Sequence, residues 1–131
     1  MGKINSFEDL EVWQKASDLA VEAYRITSTG KLSKDFGLKD QFQRASISMS
    51  NNIAEGFEYD NNKDFIKFLR FAKGSTGEVR NMIIFFKKIN YITDSDYSLM
   101  FDKLIQLSKQ LRTFIKYLKD YESKKVDKNK N

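Results

Sequence analysis

The 131-residue sequence contains no cysteine, no histidine and no proline. Without cysteine there can be no disulfide, no thiolate zinc site and no cysteine nucleophile. Without histidine there is no serine–histidine triad and no imidazole acid–base pair. Any chemistry would fall to carboxylates, lysines, hydroxyls or a bound metal. The missing proline, together with only six glycines, favours long uninterrupted helices. No apolar run approaches the roughly 18 residues of a membrane span. Met1-Gly2-Lys3-Ile4-Asn5 lacks the apolar core of a signal peptide. A cytoplasmic protein with no membrane partner is therefore expected.

Hydrophobic residues make up 40% of the chain and charged residues 31%, the balance of a globular domain rather than a disordered one. The length suits one domain with a real core. The expected division is a bundle over residues 1–121 and a lysine-rich flexible tail over 122–131. The net charge is +5, a modest preference for anionic partners. The tail supplies +2 of it, because Lys124, Lys125, Lys128 and Lys130 outweigh Glu122 and Asp127. The body carries the remaining +3.

Four helices can be read along the chain, with no strand signal. Ser6 can cap a first helix reaching Thr27, with Trp13, Ala16, Ala20, Ala23, Tyr24 and Thr27 facing inward and Val12 and Leu19 widening that face. Leu32 and Phe36 are expected to pin the following connection to the bundle. A second helix runs from about Leu38 to Gly56. After a polar turn, Asn61 or Asn62 can cap a third helix from about Lys63 to Asn90. Its inward face is Phe65, Phe68, Leu69, Ala72, Thr76, Val79, Ile83 and Phe86. Its outer face carries Lys63, Lys67, Arg70, Gly74, Gly77, Asn81 and Lys88. Thr93 with Asp96 resembles the capping box of a fourth helix reaching about Tyr121. There Tyr97, Phe101, Leu104, Ser108, Leu111, Ile115 and Leu118 form a heptad seam. Met100, Leu107, Phe114 and Tyr121 form a second apolar file beside it, which meets either the bundle's own core or another subunit. Short links between four amphipathic helices give an all-α, antiparallel up-down-up-down four-helix bundle.

The second helix is unusual. Gln41, Arg44, Ser48, Asn52 and Glu55 fall within an arc of about 80°. Leu38, Phe42, Ala45, Met49 and Ile53 flank the stripe on one side, and Ile47 and Ala54 on the other. One reading is a wide, mixed helix face. The other is a buried polar layer that fixes packing or subunit register, each side chain then needing a hydrogen-bond partner. The second is the expectation adopted here. Arg44 and Glu55 lie roughly 16 Å apart along the helix and cannot satisfy each other, so their partners are expected on another helix or another chain. Gly74 and Gly77 each cost about 1 kcal/mol relative to alanine inside a helix. A bare backbone would let another helix or a phosphate chain approach closely, so both are grouped with the stripe as structural or assembly residues.

Phe7-Glu8-Asp9-Leu10-Glu11-Val12-Trp13-Gln14-Lys15-Ala16 resembles the opening of the 23S rRNA intervening-sequence proteins, also called four helix bundle proteins. The likeness continues through Gly37-Leu38, Gln41, Arg44-Ala45, Ser48 and Asn52-Ile53-Ala54-Glu55-Gly56. It resumes at Phe65, Phe68-Leu69, Ala72, Gly74-Ser75 and Glu78, and covers about residues 7 to 120. The fourth helix matches in pattern only. The sequence lacks a proline that the family often has in the first connection, and Gly77 is unusual. The resemblance implies a four-helix bundle assembled as a ring-like homopentamer. Some members are encoded within insertions in ribosomal RNA genes. A related branch is the accessory protein of diversity-generating retroelements, which binds a reverse transcriptase and nucleic acid. The resemblance carries over no catalytic residues.

Three functions follow for testing. One is a non-enzymatic, oligomeric bundle that binds RNA or DNA non-specifically, through phosphate contacts from Lys63, Lys67, Arg70, Lys88 and the lysine tail. No aromatic residue is read among these cations, so base stacking is not expected. The second is a scaffold that docks a protein partner, such as a reverse transcriptase, on the wide apolar face of the fourth helix and the two glycines. The third is an enzyme using Asp40, Glu55 and Glu78 as metal ligands. That reading is disfavoured because di-metal carboxylate bundles use Glu-x-x-His pairs. No cofactor or metal is expected.

Overall fold

Three of the four helices start at a side-chain cap; the first starts after Leu10 without one, and Ser6, expected to cap it, instead precedes a short 3-10 turn. The computed structural model describes residues 3–130, with side chains described as far as Val126. It has α1 (Glu11–Ile26), α2 (Phe36–Glu58), α3 (Asn62–Lys88) and α4 (Asp94–Lys130). A single 3-10 turn over Phe7–Asp9 leads into α1, and the Asp9 carboxylate accepts from the Asn5 and Ser6 amides at 3.0 and 3.2 Å. Asp35 caps α2 by accepting from the Leu38 amide. Asn61 caps α3 by accepting from the Asp64 amide at 2.9 Å. Thr93 caps α4 by accepting from the Asp96 amide. Among the described residues there is no strand, and no helix is long and apolar enough to cross a membrane.

Consecutive helices pack side by side, and α4 closes against α1. The core is a single cluster drawn from all four helices, with Ala16, Ala23, Phe42, Met49, Ile53, Leu69, Val79, Ile83, Phe86, Met100, Leu104, Leu107 and Leu111 essentially inaccessible. Phe42 and Phe86 meet edge to face at 5.0 Å in its centre. Met100 and Leu107 belong to this core, so the upper half of the second apolar file on α4 is spent inside its own bundle. Phe114 is half-buried and Tyr121 is exposed. Arg25, on α1, bridges Glu22 and Asp96 at 2.8 and 2.7 Å and ties α1 to the start of α4.

Several details depart from the sequence reading. Tyr24 is 50% exposed instead of facing inward, because the buried seam of α1 is Val12, Ala16, Leu19, Ala23 and Ile26. Trp13 is half-buried, with its ring against Phe7. Leu32 does pin the first connection, but Phe36 points to solvent. The segment read as a flexible tail continues α4 to Lys130. Nothing in Glu122–Lys130 breaks a helix, and lysine and glutamate propagate one well. Glu122 accepts from Asn62 Nδ2, at the first residue of α3. The Lys128 and Lys130 side chains, like Met1 and Gly2, lie outside the described residues.

α2 and α3 come into close contact at Gly56. A β-carbon there would sit 2.6 Å from Phe68 Cβ and 3.1 Å from the Phe65 ring. The first of these atoms is fixed to the α3 backbone and cannot swing away. Gly56→Ala gains about 1 kcal/mol in helix propensity but must push α2 from α3, an overpacking cost of about 1–3 kcal/mol. The variant is expected to lower the urea midpoint and the Tm. Unchanged or raised stability would show that the two helices separate freely.

Candidate functional site

The outer face of α3 begins with three cations on successive turns. Lys63, Lys67 and Arg70 recur at four and three residues, so they stand in one file. α4 passes beside this end of α3 and adds Lys119. The four side chains line one groove of about 590 Å³, floored by Ile66 and edged by Phe71. Asp64 is the one acid in the lining, and its carboxylate accepts from Asn61 Nδ2 at 2.8 Å in the cap of α3. Among the described residues none of the four cations pairs with a carboxylate. The groove is a concentration of positive charge with free N–H donors.

Lys88 does not join them. It lies eighteen residues beyond Arg70, about 27 Å along α3, at the opposite end of the bundle. The groove also has the aromatic component that was not expected. Phe71 is 49% exposed at its edge. Phe68 meets Phe71 edge to face at 5.7 Å and stacks on exposed Tyr59 at 5.1 Å. Lys67 Nζ sits 5.8 and 6.0 Å from the Phe68 and Phe71 ring centres. Phe71 follows Arg70 directly, so the signal was in the sequence. Phe71 lies about 80° around the helix from Lys63, at the margin of the cationic stripe and not within it.

The polar stripe of α2 is not shut away within one chain. Gln41, Arg44 and Glu55 are exposed, and Ser48 and Asn52 are half-buried. Arg44 pairs with Asp40 of its own helix at 2.9 Å, with the two side chains 80% and 64% exposed, so the pair needs neither another helix nor another chain. Only the middle of the stripe works between helices. The Ser48 and Ser75 hydroxyls lie 3.0 Å apart across α2 and α3. Asn52 Nδ2 donates to both the carbonyl and the hydroxyl of Ser48. One apolar flank, Phe42, Ala45, Met49 and Ile53, is buried, but on the other Ile47 is itself 41% exposed and does not close over the stripe. Gly74 and Gly77 face open space, with nothing within 4 Å of a β-carbon at either. Among the described residues no three acids gather as a metal site requires, and Asp40 is held by Arg44.

A second concavity, also about 590 Å³, lies between α1 and α4. Leu10, Val12, Phe114 and Tyr117 line it, and its character is apolar. Tyr117 is largely exposed on its rim.

Arg44→Ala removes a solvated i,i+4 pair, which is worth about 0.3–0.5 kcal/mol, far below the 3–5 kcal/mol typical of a broken buried pair. Its Tm in dilute solution is expected to stay within measurement error of the parent. A loss of several kcal/mol would mean that a neighbouring chain covers Arg44.

Comparison with curated proteins gives no match. Among solved structures, the chain is similar to a protein of unknown function from the S23 ribosomal protein family of Bacteroides thetaiotaomicron. The two share 25% identity and a TM-score of 0.73 over 80% of this chain and 98% of the other. The family model of the 23S rRNA-intervening sequence proteins matches residues 8–113, from the turn before α1 to within one turn of Phe114. That span contains every residue on which the resemblance in sequence was based except Phe7 at its edge, and the chain belongs to the 23S rRNA-intervening sequence protein family.

Proposed function

We propose that this protein is a non-enzymatic helical bundle that binds the phosphate backbone of RNA or DNA, and that it acts as a homo-oligomer. The observation that carries the reading is the groove itself. Lys63, Lys67, Arg70 and Lys119 come from two helices, line one concavity and have no carboxylate partner among the described residues. Unpaired cations held this close together repel one another, and an anionic chain laid along them relieves that repulsion while releasing its own counterions. The contacts are to phosphate, which carries no sequence information.

Oligomerisation is supported by apolar surface on two separate sides of the bundle. Val21, Tyr24 and Ile47 lie together on the α1–α2 side, and the Leu10–Tyr117 concavity lies between α1 and α4. A ring of more than two subunits needs two different patches that meet. A pentamer is the size implied by the family resemblance. Repeating one groove around such a ring would raise affinity for a long strand through effective concentration. The bare backbone at Gly74 and Gly77 fits close approach by a phosphate chain or a neighbouring subunit.

A second reading, a scaffold for a protein partner, is supported by the same α1–α4 concavity, which is apolar and rimmed by an exposed tyrosine. A partner held there would survive nuclease treatment and be lost in Tyr117→Glu. A nucleic-acid-mediated association would be lost to nuclease and indifferent to that change.

For the favoured reading, binding of oligonucleotides of arbitrary sequence is measured against salt. Four phosphate contacts give a log–log slope of roughly −2.8 to −3.6, so affinity per groove falls roughly 50- to 150-fold between about 50 and 200 mM salt. Arg70→Ala is expected to reduce the slope by about 0.7–0.9. Lys88→Ala, at the far end of α3, should leave it unchanged. A salt-independent affinity, or equal effects of the two variants, would overturn the assignment of this groove. Gly74→Ala and Gly77→Ala each add a β-carbon in open space and should raise the Tm, by about 0.5–1 kcal/mol in stability. If the glycines serve close approach, the same variants lower the mass in solution or the affinity for nucleic acid.

A further inference from the structure

The phosphate-binding reading says nothing about whether the bases of the bound chain are paired. We infer that the groove takes single-stranded nucleic acid, with an unpaired base stacking on Phe71 beside the cations that hold its phosphates. This rests on the proposed phosphate contacts and adds the class of strand.

The position of Phe71 carries the argument. It is half in water, on the same wall as Lys67 and Arg70, and it is absent from the buried core of the bundle. A polar side chain there would leave that core intact and would be better solvated, so the fold does not call for the ring. The ring is also held in place. Phe68 meets it at 5.7 Å and is braced in turn by Tyr59 at 5.1 Å, while Lys67 Nζ lies 6.0 Å from its centre. A braced aromatic surface loses little freedom when something stacks on it.

Duplex nucleic acid offers such a ring nothing, because its base faces are already covered by their neighbours and only edges and backbone are presented. An unpaired base presents a whole π-face. Single-strand binders combine a basic track for the backbone with aromatic side chains for the bases, and stacking of this kind tolerates any sequence. Lys63, Lys67 and Arg70 supply the track, and Phe71 the platform. The competing occupant for an exposed ring is a second copy of this chain. A symmetric contact here would bring four cations against four cations, which electrostatic complementarity opposes.

The experiment compares single-stranded and duplex oligonucleotides of equal length by fluorescence anisotropy at low and moderate salt. It uses the full chain and its Phe71→Leu and Phe71→Tyr variants, with solution mass recorded for each. Single strands should bind at least about tenfold more tightly than duplex. Phe71→Leu keeps apolar bulk but removes the ring, and should weaken single-strand binding roughly 5- to 150-fold with the salt slope intact. Phe71→Tyr should restore it. Equal affinity for single strands and duplex, or a Phe71→Leu protein that binds single strands as tightly as the parent, overturns the inference while leaving phosphate binding in place. So does a Phe71→Leu protein of lower mass and unchanged affinity per protomer, which would make the ring a subunit contact. Failure of both forms to bind at low salt removes the underlying phosphate reading itself.

Discussion

Gly56 lets the end of α2 lie against Phe68 with no side chain between them, and the rest of the candidate site inherits its geometry from that approach. Phe68 packs against α2 at Gly56, and its half-buried ring stacks on Tyr59 and meets Phe71. Two turns further along the same seam, Ser48 and Ser75 face each other across the helices, and Asn52 closes the set by donating to Ser48. A close glycine contact and a small hydroxyl pair hold α2 and α3 nearer than two apolar ridges would. The outer face of α3 is therefore set by what α2 does behind it.

The fold was largely readable because the signals that specify it are local and redundant. Helical periodicity on α3 identified Phe65, Leu69, Ala72, Thr76, Val79, Ile83 and Phe86 of its buried line but also placed Phe68 there, which is only half-buried, while Asn61 and Thr93 cap as their types suggest. The errors arose where periodicity is ambiguous. Tyr24 is an aromatic residue at the rim of an apolar arc, and the arc alone does not say whether the rim is covered; Phe36, expected to pin the first connection, instead opens α2 on its solvent side. Within one chain the α2 stripe stays open for a related reason. Apolar flanks suggested closure, but whether Ile47 closes depends on how far α1 reaches across α2, and that distance is not written in α2. Arg44 was assigned a distant partner although Asp40 stood one turn away. The more economical i,i+4 pair is what forms.

The groove was half legible. Lys63, Lys67 and Arg70 share a face by spacing alone, and the structure keeps them together. Lys88 shares the same angular position, but angle and proximity are different quantities, and five helical turns separate it from Arg70. Lys119 could not have been found on α3 at all. It enters because Glu122 meets Asn62 and so fixes which turn of α4 lies beside the start of α3. A site made by two helices needs their relative register, and that register comes from packing.

The balance of the face also argues about what kind of binding is useful to it. Four cations and one ring make a small footprint, and a footprint of that size is weak at physiological salt. Strength would have to come from repetition. The apolar surfaces proposed for assembly, around Ile47 and around Tyr117, involve α1 with α2 and α1 with α4, while the groove belongs to α3 and the end of α4. Subunits joined through the first two would leave the third facing outward on every copy. A long strand could then cross several grooves, each contributing a few phosphates, with no single groove needing to be tight. Such a binder would release short fragments readily and hold long strands. It would also carry little sequence preference, since neither phosphates nor a stacking ring distinguish one base from another.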